Sequence, residues 1–180
     1  MAYVLAHPTD ALAFNPSAEY FVIPWGHAGI ESTIRHMRRI AKRGAAQPLL
    51  RESAASIVGD AGSSFEAASA IRRFLERRTE FVFDPVGVEL IRSPVYMLRA
   101  IQARGTAVGD CDDVAVLGAA LGLAAGIPAR FVLLGFTEAE PFEHVYTELL
   151  SDGGAVELDT TRPAQMPADI EILQVGYRRV

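Results

Sequence analysis

From Val114 to Ala125 the chain reads "VAVLGAALGLAA", without a single polar side chain. No other stretch constrains the fold as much. Val114, Leu117, Leu121 and Ala124 recur at helical spacing, so the run reads as a helix that begins near Cys111 and ends at Gly126 and Pro128. A helix that is apolar around most of its circumference must be buried. Its glycines and its length are wrong for crossing a bilayer, and no segment of the chain holds 18 consecutive apolar residues. The rest of the protein therefore has to wrap it.

After Pro128 the hydrophobic period changes from helical to two. Residues 129–136 (ARFVLLGF), 144–150 (HVYTELL) and 155–159 (AVELD) are rich in β-branched and aromatic side chains, with Asp152-Gly153-Gly154 as a turn signal between the last two. They read as consecutive antiparallel strands, and residues 171–180 offer one more. Upstream, four stretches read as helices. Residues 26–44 carry Ile30, Ile34, Met37 and Ile40 on one face and stop at Gly44. Residues 48–60 start on Pro48 and repeat Leu50, Ala54 and Ile57. Residues 63–81 carry Phe65, Ala68, Ile71, Phe74 and Leu75, and open on a Ser64-x-x-Ala67 pattern that lacks the full capping box. Residues 93–105 lie between Ser93-Pro94 and Gly105. Between the last two, residues 81–94 are broken by Asp84-Pro85 and Gly87 and read as a loop or short extended piece. The first 25 residues hold three prolines and read as an extended arm or short strand. Helices first and sheet second give an α+β fold, N-terminal helices packed on a C-terminal antiparallel sheet. A length of 180 residues suits one domain over 1–180.

Charge and cysteine use narrow the function classes. The net charge is −5 and basic residues do not cluster with aromatics, so neither nucleic acid nor a membrane is an expected partner. Arg35, Arg38, Arg39, Lys42 and Arg43 read as the solvated face of a helix. The N-terminus lacks a basic n-region followed by a long apolar run. One cysteine allows no internal disulfide, which suits a reducing, cytoplasmic setting. One cysteine with scattered histidines offers no zinc-ligand pair, and the aspartates are too compact for a calcium loop, so no metal is expected.

That cysteine is the puzzle. Cys111 stands between Asp110, Asp112 and Asp113, although carboxylates oppose a thiolate. The start of a helix works the other way, because its unpaired N–H groups and macrodipole favour an anion. Acids suit the first turn too. Asp110 is placed to cap it, and Asp112 and Asp113 would be rotated from Cys111 by roughly 100° and 200°. A cation-binding role for the acids is the alternative to capping. Two further residues stand at informative positions. His144 opens one strand and Asp159 closes the next, and a hairpin between those strands brings the two together. An imidazole can ionise the thiol and later protonate the leaving group. A carboxylate behind it fixes the tautomer. N–H groups at the helix start can hold a developing oxyanion.

The segments "GDCDDVAVLGAALGLAAGIPARFV", "HVYTELL" and "AVELDTT" resemble the core of the transglutaminase-like superfamily, over roughly residues 65–161. That family combines a Gly-x-Cys-x-Asp helix start, a Gly-Ile-Pro-Ala-Arg turn, a catalytic His opening a later strand and a catalytic Asp near the end of the next. The upstream "FVFDPVGVELIRSP" is similar to bacterial and phage-borne members. Residues 1–60 fit a helical N-terminal extension. The resemblance implies a papain-like cysteine protease (transglutaminase-core) fold with no cofactor. It implies Cys111 as nucleophile, His144 as base and Asp159 as the third member. The animal crosslinking enzymes use an upstream tryptophan at the oxyanion, but here the only tryptophan is Trp25, 86 residues before Cys111 (111 − 25). Gln102, nine residues before Cys111 (111 − 102), is the side-chain oxyanion candidate by analogy with papain-like enzymes. The implied activity is hydrolysis or transfer at an amide or isopeptide bond in a protein, peptide or peptidoglycan-peptide substrate. A phage-related, non-catalytic binding or assembly module that keeps the fold is the competing reading.

Overall fold

The computed structural model describes residues 18–20, 27–84, 90–138, 142–161 and 170–180. Its axis is the apolar run, which forms a helix over Cys111–Ala124 with every residue from Asp112 to Gly122 buried. Fully burying a leucine such as Leu117 or Leu121 contributes about 2 kcal/mol. Numbered in chain order, this helix is α5. Its wrapping comes from four helices, α1 (His27–Ala45), α2 (Pro48–Val58), α3 (Ser64–Arg78) and α4 (Pro94–Arg104). They contribute Ile34 and Met37, Leu50 and Ala54, Ile71 and Leu75, and Met97 and Leu98 to one continuous core. The helical part of residues 1–60 is therefore integral to that core.

The sheet covers the remaining side. β5 (Ala129–Gly135), β6 (His144–Ser151), β7 (Gly154–Glu157) and β8 (Gln174–Arg179) are antiparallel in the order β7-β6-β5-β8. The C-terminal strand thus closes the far edge beside β5. The other strands, β1 (Ala18–Tyr20), β2 (Thr79–Phe81), β3 (Leu90–Arg92) and β4 (Ala107–Gly109), form two short ribbons. In these β1 pairs antiparallel with β3, and β2 pairs parallel with β4. With three residues each, they are too short to leave a period in the sequence.

The register of α5 on β6 positions the site. The Thr147 hydroxyl donates to the Ala115 carbonyl at 2.7 Å. Further along, Gly122 has room for no Cβ because the Leu149 side chain fills that space. Helix and strand therefore run in the same direction, and their first residues, Cys111 and His144, come to the same end of the molecule.

Local details differ from the sequence expectation in two places. α1 continues through Gly44 to Ala45. That glycine serves contact rather than termination, since a Cβ there would lie 2.8 Å from the Pro94 ring. The N-cap of α3 is Ser63, not Ser64, and its hydroxyl accepts from the Glu66 N–H. Glu66 reaches back to accept from the Gly62 N–H at 2.8 Å, so a reciprocal cap is present one residue earlier. Ser64 instead donates to Asp152 at 2.7 Å, fastening α3 to the β6–β7 turn. α4 follows expectation: Ser93 caps it, Pro94 starts it and Gly105 ends it in the left-handed region at φ 89°. Trp25, His7 and the core of the proline-rich arm lie outside the described residues.

Candidate active site

Cys111 is the first residue of α5 and is half-buried. The first intrahelical bond runs from the Val114 N–H to the Asp110 carbonyl at 3.2 Å. The N–H groups of residues 111–113 therefore precede the helical ladder and form the positive end of its dipole. Asp110 occupies the cap position, but its side chain makes no cap bond. The expected capping role of its carboxylate is not what the fold uses.

His144 is buried at the start of β6, and its Nε2 lies 3.0 Å from Asp159 Oδ1. Asp159 sits just beyond β7. The ladder continues past that strand, because the Leu158 N–H donates to the Thr147 carbonyl at 2.8 Å. Two more steps of the Glu148–Glu157 register put Asp159 opposite Tyr146 and diagonally beside His144. Val156 and Leu158 turn to the opposite face and enter the core. With Nε2 held by Asp159, the imidazole turns Nδ1 away from it. Tyr146 flanks the ring at 6.2 Å between centroids.

The aspartates around Cys111 point inward. Gly109 makes this possible, because a Cβ there would lie 2.6 Å from Asp113 Oδ2. Asp113 folds back under β4 and accepts from the Arg92 N–H at 2.6 Å and from the Arg92 guanidinium. The same guanidinium donates to Asp84 at 3.3 Å, and Asp84 also accepts from the Leu90 N–H at 2.6 Å. Oxygens of Asp84, Asp110 and Asp113 gather within 4.8 Å of one another, and Arg92 is the cation that bridges two of them. Asp112 is buried, with no donor to either oxygen among the described residues. The Asp110 carboxyl lies within side-chain hydrogen-bonding reach of it. Two acceptors side by side need a proton between them, and burial with that neighbour drives Asp112 well above the usual carboxylate range. Burial also pushes Asp113 up to about 7, against the pull of Arg92, and Asp84 up to about 6. Asp112 and Asp113 are thus enclosed, and neither is placed to receive a cationic substrate group.

The other sequence candidates fall outside this cluster. Gln102 is exposed on α4 and makes no hydrogen bond to Cys111, His144 or Asp159 among the described residues. His36 pairs with Arg39 on α1 at 2.7 Å, within the largely exposed basic face of that helix. Sequence reasoning missed Arg92 and Asp84, which lie in the stretch read as a loop. An arginine inside the apolar run "VELIRSP" was the available signal. No described helix is long and apolar enough to cross a membrane.

No curated protein matches the chain. A candidate protease from Parabacteroides distasonis shares the fold, with a TM-score of 0.52 at 18% identity over 69% of this chain. A candidate cysteine protease from Cytophaga hutchinsonii aligns over 71% of it with a TM-score of 0.47 and 23% identity. This chain spans 26% and 41% of the length of those two proteins, respectively. The family model of the transglutaminase-like superfamily matches residues 51–160, which is 110 of 180 positions (160 − 51 + 1) and includes Cys111, His144 and Asp159. The chain belongs to the transglutaminase-like superfamily.

Proposed function

We propose that this domain is a cysteine hydrolase acting on an amide or isopeptide bond of a protein, peptide or peptidoglycan peptide. The carrying observation is the buried His144–Asp159 pair, 3.0 Å apart, at the end of the molecule where α5 begins with Cys111. Asp159 holds Nε2, so Nδ1 is the nitrogen that takes the thiol proton. The Cys111 thiolate attacks the carbonyl carbon. The tetrahedral oxyanion is received by N–H groups at the start of α5, a role for which exposed Gln102 is poorly placed. His144 returns the proton to the leaving amine, and an acyl-enzyme remains. Water then resolves it, with His144 as general base. An amine in place of water would give transamidation.

The test is the rate of iodoacetamide alkylation against pH. A thiolate held by His144 gives a reactive plateau well below the free-cysteine range of about 8.5. His144→Ala should lower the rate at pH 6 by about a hundredfold, the cost of returning to an ordinary thiol. Cys111→Ala should abolish labelling and leave the unfolding midpoint nearly unchanged. An ordinary thiol profile, identical in wild type and His144→Ala, would favour a binding or assembly role for the domain.

A further inference from the structure

Phe83 is 71% exposed, the most exposed large apolar side chain among the described residues. It is nevertheless held in place from three directions. Its ring meets Phe81 edge-on at 4.7 Å between centroids. On one side of it, the Val82 N–H donates to the Gly109 carbonyl at 3.0 Å. On the other, Asp84 is fixed by the Leu90 N–H and by Arg92. An anchored aromatic facing solvent gains little from folding and keeps its apolar surface for contact.

Its position says what it contacts. Val82 is bonded to Gly109, and Gly109 precedes Cys111 by two residues, a span of about 7 Å at most. Phe81 pairs with Gly109 across the parallel ribbon. The Phe81–Phe83 pair therefore borders the start of α5, within reach of a residue next to the carbonyl that Cys111 would attack. We propose that Phe83, supported by Phe81, forms an apolar subsite for a substrate side chain adjacent to the attacked carbonyl, and so selects bulky apolar or aromatic residues there. This rests on Cys111 being the nucleophile. The ring is already ordered, so docking a side chain against it costs little further entropy.

The probes are N-acetylphenylalanine chloromethyl ketone and its glycine counterpart. In each, Sγ of Cys111 bonds to the methylene carbon and chloride leaves. The readout is the phenylalanine-to-glycine ratio of labelling rates, divided by the same ratio for glutathione to remove intrinsic reactivity. The subsite predicts a normalised ratio of about ten or more in the wild type. Phe83→Ser should bring it near one, and Phe83→Leu should keep part of it. An unchanged unfolding midpoint, expected for so exposed a side chain, shows that the variants fold. A wild-type ratio near one, or a high ratio untouched by Phe83→Ser, overturns the subsite. Because the ratio is read at one pH on any alkylatable thiol, it is separate from the His144-dependent pH profile that tests the hydrolase.

Discussion

Four aspartates crowd the start of α5, and their protons decide how much negative charge a thiolate meets there. Burial raises Asp112 well above the usual carboxylate range, and Asp84 and Asp113 keep their protons up to about 6 and about 7. Arg92 adds a positive charge in contact with two of the four. The acidic surroundings that look hostile in the sequence are thus largely neutralised by burial and by one arginine. His144 is treated differently, since Asp159, the carboxylate paired with it, is as deeply buried as itself. Asp159→Ala would leave the imbalance of a buried imidazole without its orienting acceptor. The alkylation rate at pH 6 should fall by at least tenfold, with Asp159→Asn intermediate because its amide oxygen can still accept from Nε2. Equal rates in wild type and Asp159→Ala would remove Asp159 from the triad.

At the scale of elements, the Gly-x-Cys-x-Asp start of α5 is a steric unit before it is a chemical one. Gly109 is where Asp113 folds back, and Asp113 is what Arg92 grips from β3. Gly109→Ala forces the buried carboxyl of Asp113 aside and should cost about 1–3 kcal/mol, the usual penalty for overpacking. It should also slow alkylation of Cys111 at pH 6, because the first turn that carries the thiol shifts. A urea titration and a labelling rate on the same sample check both. A variant as stable and reactive as the wild type would show that Asp113 has room the structure does not suggest. The elements themselves were largely readable in the sequence. α5 and the strands β5 to β7 follow from the change in hydrophobic period, and Cys111, His144 and Asp159 follow from where those elements begin and end. What escaped were features without a period. β2, β3 and β4 have three residues each, the α3 cap was placed one residue late, and the Arg92 clamp joins residues 8 to 21 positions apart through a broken stretch.

For the whole molecule, these buried acids set the sign of stability against pH. In the unfolded chain the aspartates lose their protons near 4. In the folded chain Asp84 holds its proton to about 6 and Asp113 to about 7, and burial holds Asp112 well above the usual carboxylate range. Between those limits the folded state binds more protons than the unfolded one. Stability contributed by these groups is therefore complete below pH 4 and is lost as the pH rises through 6 and 7. Glu31 and Asp152 act in the opposite sense, since Arg178 and Ser64 respectively hold their carboxyls below the usual range. Both lie near the surface, where such effects are small, and theirs is confined to the acid side of pH 4. The urea midpoint should accordingly be higher at pH 5 than at pH 8. Asp84→Asn removes one of the three protons while its amide oxygen still accepts from the Leu90 N–H, so it should flatten the difference without abolishing it. A midpoint that rises from pH 5 to pH 8 would mean that Arg92 outweighs burial at Asp113 and that the pair is ionised throughout. Cys111 would then face the full charge of its neighbours, and His144 would have to supply all of the thiolate's stabilisation beyond what the helix start provides.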